Sequence, residues 1–132
     1  MKVWAFIAVG IVCVILFQNC GEVTSPEDGA EYTYSLDQTI QTKLSEIEQT
    51  ADLSCSADAD CASLPAGAMA CGGPTYHQIF SSTGTDLPKL QLLIDQYSAL
   101  ERLKSSATGL VSACGYPVPP NLGCIQNLCS EI

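Results

Sequence analysis

The one histidine of this 132-residue chain, His77, follows Cys71 by six residues. A thiol beside an imidazole is the arrangement from which cysteine nucleophiles are made, and Asp86 or Asn121 would orient the ring. That chemistry requires a reduced Cys71, which leaves an odd number of cysteines for pairing; a disulfide at Cys71 and an ordinary strand position for His77 are the simpler expectation. A serine nucleophile has no G-x-S-x-G elbow to sit on, and Ser81, Ser82, Ser105 and Ser106 lie where hydroxyls are commonplace, in polar or helix-end contexts. Asp58 and Asp60, with Asp52 nearby, are weak calcium candidates as hard oxygen ligands. They lack the glycine and closing glutamate of a calcium loop, and Cys61 interrupts them, so solvated turn or cap roles are expected. Paired carboxylates for glycoside cleavage would need a sugar-sized cleft, and no aromatic series is present to build one.

A different chemistry is binding. Gly72, Gly73, Pro74, Thr75, Tyr76 and His77 follow directly on Cys71, and a short cysteine-anchored loop loses less entropy on association than a free one. Its bland counterpart is a turn that merely reverses the chain, since glycine permits backbone angles closed to other residues and proline fixes its own.

The cysteines set the frame for either use. Cys55, Cys61, Cys71, Cys114, Cys124 and Cys129 fall in the carboxyl-terminal part of the chain, and no C-x2-C pair with zinc-knuckle spacing occurs among them. Three disulfides are therefore expected in place of a metal centre, in an oxidising compartment, with no cofactor. The pairing is left open, although a bridge between the early and late cysteines is needed to fasten the carboxyl-terminal segment.

Ahead of this frame, residues 3–17 are an unbroken apolar run behind Lys2. A helix of that length rises about 22 Å, short of the hydrocarbon layer, so an export signal is a better reading than a permanent span. The residues leading to Cys20 resemble a bacterial lipoprotein signal, in which the cysteine after the cut carries the lipid. The resemblance implies lipid on Cys20, loss of Cys13 with the signal, and six cysteines left for pairing; secretion without lipid is the alternative. The expected organisation is a signal peptide over 1–19, a lipid-bearing flexible tether over 20–34, and a disulfide-rich domain over 35–132. The whole chain carries a net charge of −9, and loss of Lys2 leaves four basic residues against fourteen acidic ones. Attraction to nucleic acid is thereby disfavoured.

The elements that position these residues can be read from periodicity. Leu36, Ile40, Leu44, Ile47 and Ala51 recur at helical intervals, and Ser35 with Gln38 has capping-box spacing, so a helix is expected over 35–53. Its other face, with Gln38, Gln41, Ser45, Glu46 and Glu48, is expected to meet water. After Cys55 the chain breaks up at Pro65 and Gly67, with short strands expected over 61–64 or 68–71 and over 76–81. The clearest helix runs over 86–107, with Leu87, Leu90, Leu93, Ile94, Tyr97, Leu100, Leu103 and Leu110 as its apolar face, Pro88 in its first turn and Gly109 as its stop. Residues 124–129 read as a small hairpin turning at Gln126 and Asn127. The fold class is thus α+β: two helices packed on a small antiparallel sheet, stapled by three disulfides because so short a domain buries little core.

Cys55, Asp60, Cys61, Pro65, Gly67, the run from Cys71 through Gly72 and Gly73 to Pro74, and then Cys114, Cys124 and Cys129 together resemble a small exported cysteine-rich domain of uncharacterised bacterial proteins. The resemblance covers about residues 54–130 and implies disulfides and a cell-envelope location. The functional expectation is a non-catalytic, protein-binding envelope domain held at the membrane by its lipid. Two alternatives are a secreted enzyme inhibitor using residues 72–77 and a small hydrolase centred on His77.

Overall fold

Helix α1, Pro26–Thr50, turns its apolar stripe inward: Leu36, Ile40, Ile47 and Ala51 are buried and Leu44 packs beside them. The structure, a computed structural model, describes residues 26–109 and 115–132. The proposed signal, Cys20, Leu110 and Cys114 lie outside the described residues. Gln38, Gln41, Ser45 and Glu48 are exposed, as the periodicity requires, and Glu46 is half-buried in an ion pair with Lys43.

The helix begins earlier than its spacing suggests, so 26–34 is helical although it was expected to belong to the tether. Ser35 does not cap it. The Ser35 carbonyl accepts from the Thr39 hydroxyl at 2.9 Å, and Gln38 donates to the Tyr34 hydroxyl at 3.0 Å, both contacts of a helix interior. Proline fits a first turn, and no second proline interrupts the segment that follows.

After a 3-10 turn at Asp58–Asp60, strand β1 (Cys61–Ala66) pairs antiparallel with β2 (Tyr76–Ser81). Proline was expected to end the first strand, yet β1 runs through Pro65. A two-stranded ribbon asks each residue for ladder bonds on one side only, which is where proline is tolerated. Period-2 alternation divides the ribbon into two faces. Ala62, Leu64, Ala66, Tyr76 and Phe80 meet the helices in the core. Cys61, Pro65, His77 and Ile79 occupy the reverse face.

Helix α2, Leu87–Thr108, has the ends foreseen for it: the Asp86 carboxylate accepts from the Lys89 amide at 3.1 Å, and Gly109 closes it in the left-handed conformation. Leu90, Leu93, Ile94 and Tyr97 are buried and Leu100 packs beside them, whereas Leu87 and Leu103, also assigned to the apolar face, are exposed near the helix ends. An ion pair of 2.6 Å from Lys104 to Asp37 ties α2 to α1.

The second ribbon, β3 (Leu122–Ile125) and β4 (Leu128–Glu131), is separate from the first, so two small antiparallel sheets replace the single one expected. Gln126 and Asn127 both have positive φ, the signature of a two-residue turn matched to strand twist. Cys124 and Cys129 stand directly opposite each other and both leave this ribbon: Cys124 bonds to Cys55, and Cys129 to Cys61 on the reverse face of β1. Residues 32–132 thus form one unit in which helices, first ribbon and second ribbon follow in layers.

The outer edges of the second ribbon are covered. The Cys129 amide donates to the Leu53 carbonyl and the Cys55 amide to the Asn127 carbonyl, while the Asp58 carboxylate accepts from the Cys124 amide at 2.7 Å. The Asp60 carboxylate accepts from the Ser56 and Ala57 amides at 2.8 and 3.0 Å. These bonds hold the Asp60 carboxyl below its ordinary range, as the Ser54 amide and then its hydroxyl do for Asp52. A folded-state value below the unfolded one gives stability that is present above about pH 4 and lost as pH falls through the folded value. Asp60→Asn should therefore lower the thermal midpoint near neutrality, with the difference from wild type shrinking toward about pH 3.

Candidate functional site

Residues 67–75 connect β1 to β2 and carry the glycines picked out as a binding loop. Within it the Gly72 amide donates to the Met69 carbonyl at 2.9 Å and the Met69 amide to the Gly73 carbonyl at 3.0 Å, a closed tip. Gly72 and Gly73 both have φ near +90°, angles that only glycine adopts without strain.

The base of the loop is locked to α2 by Glu101. One oxygen of its carboxylate accepts from the Ala68 amide and the Thr75 hydroxyl, each at 2.6 Å, and the other accepts from the Tyr97 hydroxyl at 2.6 Å. Next to this, Ser98 accepts from the Gly67 amide at 3.1 Å. The Tyr97 hydroxyl is raised above its ordinary pKa, first by burial and then by its bond to Glu101. Tyr76, edge-on to Tyr97 with centroids 6.1 Å apart, is pushed up to about 12, mainly by burial and then by the charges of Glu48 and Glu101. Both rings therefore keep their protons, and Tyr97 remains a donor.

Because both carboxylate oxygens of Glu101 accept, a carboxamide there would turn its NH2 toward a donor. Glu101→Gln should cost about 2 kcal/mol in urea unfolding. The Ala68 amide, which donates to Glu101, should exchange faster with solvent, while the amides of α1 stay protected.

The six residues singled out as a loop do not share one surface. Tyr76 and His77 already belong to β2, Tyr76 faces the helices, and the Thr75 hydroxyl is engaged by Glu101. A Cβ on Gly73 would fall on the Tyr116 ring, so Gly73 lies against the chain that follows Gly115, whereas a Cβ on Gly72 would meet nothing within 4 Å.

His77 lies on the reverse face of β2. Its Nε2 is 3.3 Å from the Pro117 carbonyl, and its Nδ1 is buried without a hydrogen-bond partner among the described residues. With the proton on Nε2, the ring donates to that carbonyl and fastens the proline-rich segment to the strand. Asp86, one residue considered for orienting the ring, instead caps α2. Asp58 and Asp60, the calcium candidates, direct their carboxylates to backbone amides.

Where the proline-rich segment meets β2, a cleft of about 340 Å³ is lined by Thr75, Tyr76, His77 and Ile79 together with Pro117, Val118, Pro120 and Glu131, so three of the six loop candidates do border it. Beside it, Tyr116 and Val118 are 61% and 83% exposed. Glu101, Glu131 and the wall formed by 117–120 escaped the sequence reading. The one signal for Glu101 is its place four residues after Tyr97, on the edge of the apolar face.

The Sγ atoms of Cys55, Cys61 and Cys129 lie within 4.8 Å of one another, close enough for a soft metal if reduced, but all three are oxidised in disulfides. No helix among the described residues is long and apolar enough to cross a membrane. No protein-family model matches the chain, and no curated protein or solved structure shows significant similarity to it.

Proposed function

We propose that this chain is a small exported binding domain of the bacterial cell envelope, lipid-anchored through Cys20, whose partner is a protein and which turns over no substrate. The carrying observation is the pairing of a loop pinned by Glu101 with the exposed side chains Tyr116 and Val118 beside the His77 cleft. Exposed apolar groups on an ordered scaffold bind with little ordering penalty. Two disulfides and the apolar run ahead of Cys20 support export.

The third bridge belongs to the same proposal. With four of the six late cysteines paired, Cys71 and Cys114 are assigned to each other, and the contact of Tyr116 with Gly73 supports this, because each residue stands two positions after one of these cysteines. Their bond would close the loop and the proline-rich wall into one rigid edge.

The test is a photo-crosslinking amino acid at Val118 in the intact, membrane-bound protein, compared with the same group at Leu92, an exposed position on α2. A discrete protein adduct from position 118 alone is expected. No adduct, or the same adduct from both positions, overturns the reading. Intact-mass measurement of that material before and after reduction should show acylation at Cys20 and three cross-links. The inhibitor alternative draws on the unobstructed Gly72 tip; in that case Ala70, beside the tip, would be the position that captures the partner.

A further inference from the structure

We propose that the cleft beside His77 receives a Lys or Arg side chain of the protein partner, its positive charge set against the Glu131 carboxylate. This rests on the binding role proposed above and adds the chemistry of what is bound.

The hydrogen-bonding character of the cleft is one-sided. Of the wall residues that line it, Pro117 and Pro120 have no amide hydrogen, so the three carbonyls of Pro117, Val118 and Pro120 stand against the single amide donor of Val118. The Thr75 hydroxyl donates to Glu101 and is not available to donate to a ligand. Nε2 of His77 is engaged with the Pro117 carbonyl and Nδ1 is buried, so the ring offers a ligand no free donor. A ligand that completes this surface must bring donors.

Charge narrows the choice. Among the described residues Glu131 is the formally charged carboxylate on the cleft and no lysine or arginine lines it, and the chain as a whole has fourteen acidic residues against five basic ones. Lys43 and Lys104 are paired with Glu46 and Asp37, elsewhere on the surface. An acidic or phosphorylated ligand would therefore meet a like charge and few donors. Lysine and arginine supply three and five N–H groups, on apolar stems that suit a lining of Ile79, Val118 and Pro120.

The experiment titrates the isotope-labelled full chain in micelles with a blocked Ala-Arg-Ala peptide and with its Ala-Glu-Ala counterpart, following backbone amide shifts. The arginine peptide is expected to shift the amides of His77, Ile79, Val118 and Glu131 saturably, and the glutamate peptide to leave them in place. Glu131→Gln, which keeps the strand backbone, should weaken the arginine peptide about tenfold. Equal shifts from both peptides, unchanged affinity in Glu131→Gln, or shifts confined to other surfaces would overturn the inference. If Val118 still captures a protein in membranes while the arginine peptide fails, the cation site falls and the binding role stands. If neither binds, both fall.

Discussion

In a chain whose Cys71 and Cys114 are already alanine, replacing Cys61 and Cys129 with alanine should lower the unfolding free energy by about 3 kcal/mol, and replacing Cys55 and Cys124 as well should bring the loss to about 7 kcal/mol. The two steps differ because the bridges run side by side. Alone, either closes a loop with a sequence separation of 68 or 69 residues, which in the chain-entropy account is worth about 4 kcal/mol. With one in place, the other closes only a small ring: six residues from Cys55 to Cys61 and five from Cys124 to Cys129. Such a ring contributes about 3 kcal/mol. Domains typically have about 5 to 15 kcal/mol in total, so the four-cysteine variant should be largely unfolded at the lower end of that range and each two-cysteine variant folded. Urea unfolding of the three variants checks this. Equal losses at both steps would mean that the bridges constrain the unfolded chain independently.

Truncation of the core should come next in size. Ile47 of α1 and Leu90 of α2 are both fully buried in the cluster that joins the helices to the first ribbon. Ile47→Ala or Leu90→Ala removes methyl groups with nothing to fill the space, at about 3 to 4 kcal/mol each. Leu92→Ala on the exposed side of α2 should change stability by less than about 0.5 kcal/mol. Thermal unfolding of the three variants separates these outcomes, and a small loss at Leu90 would place it outside the core.

What could be read in advance was what the chain decides locally. Helix α2 announced itself through its period, Asp86 at its start and Gly109 at its stop; β2 and the turn at Gln126 and Asn127 were likewise local decisions. The start of α1 was misread because Ser35 and Gln38 have capping spacing inside a helix that was already under way. The division into two ribbons was hidden because it depends on partners far apart in the chain: Cys61 stands opposite Ser81 in one ribbon while its sulfur is bonded to Cys129 in the other. The candidate site was legible by a similar measure. His77 and Thr75 do border a cleft, but its other wall comes from residues 117–120 and Glu131, more than thirty-five positions away. Glu101 went unnoticed since a lone acid on a helix ordinarily faces water, and two of the three donors that hold it come only with the returning loop, the third being Tyr97 one turn back on the same helix.

Both observed bridges tie the chain ahead of α2 to the chain behind it. A protease that cuts once anywhere between Cys61 and Cys124 would therefore release nothing: the two fragments stay joined at two points and migrate as one species until reduced. Nicking at an exposed tip such as Gly72 would then be survivable damage, and the molecule would outlast the integrity of its own backbone.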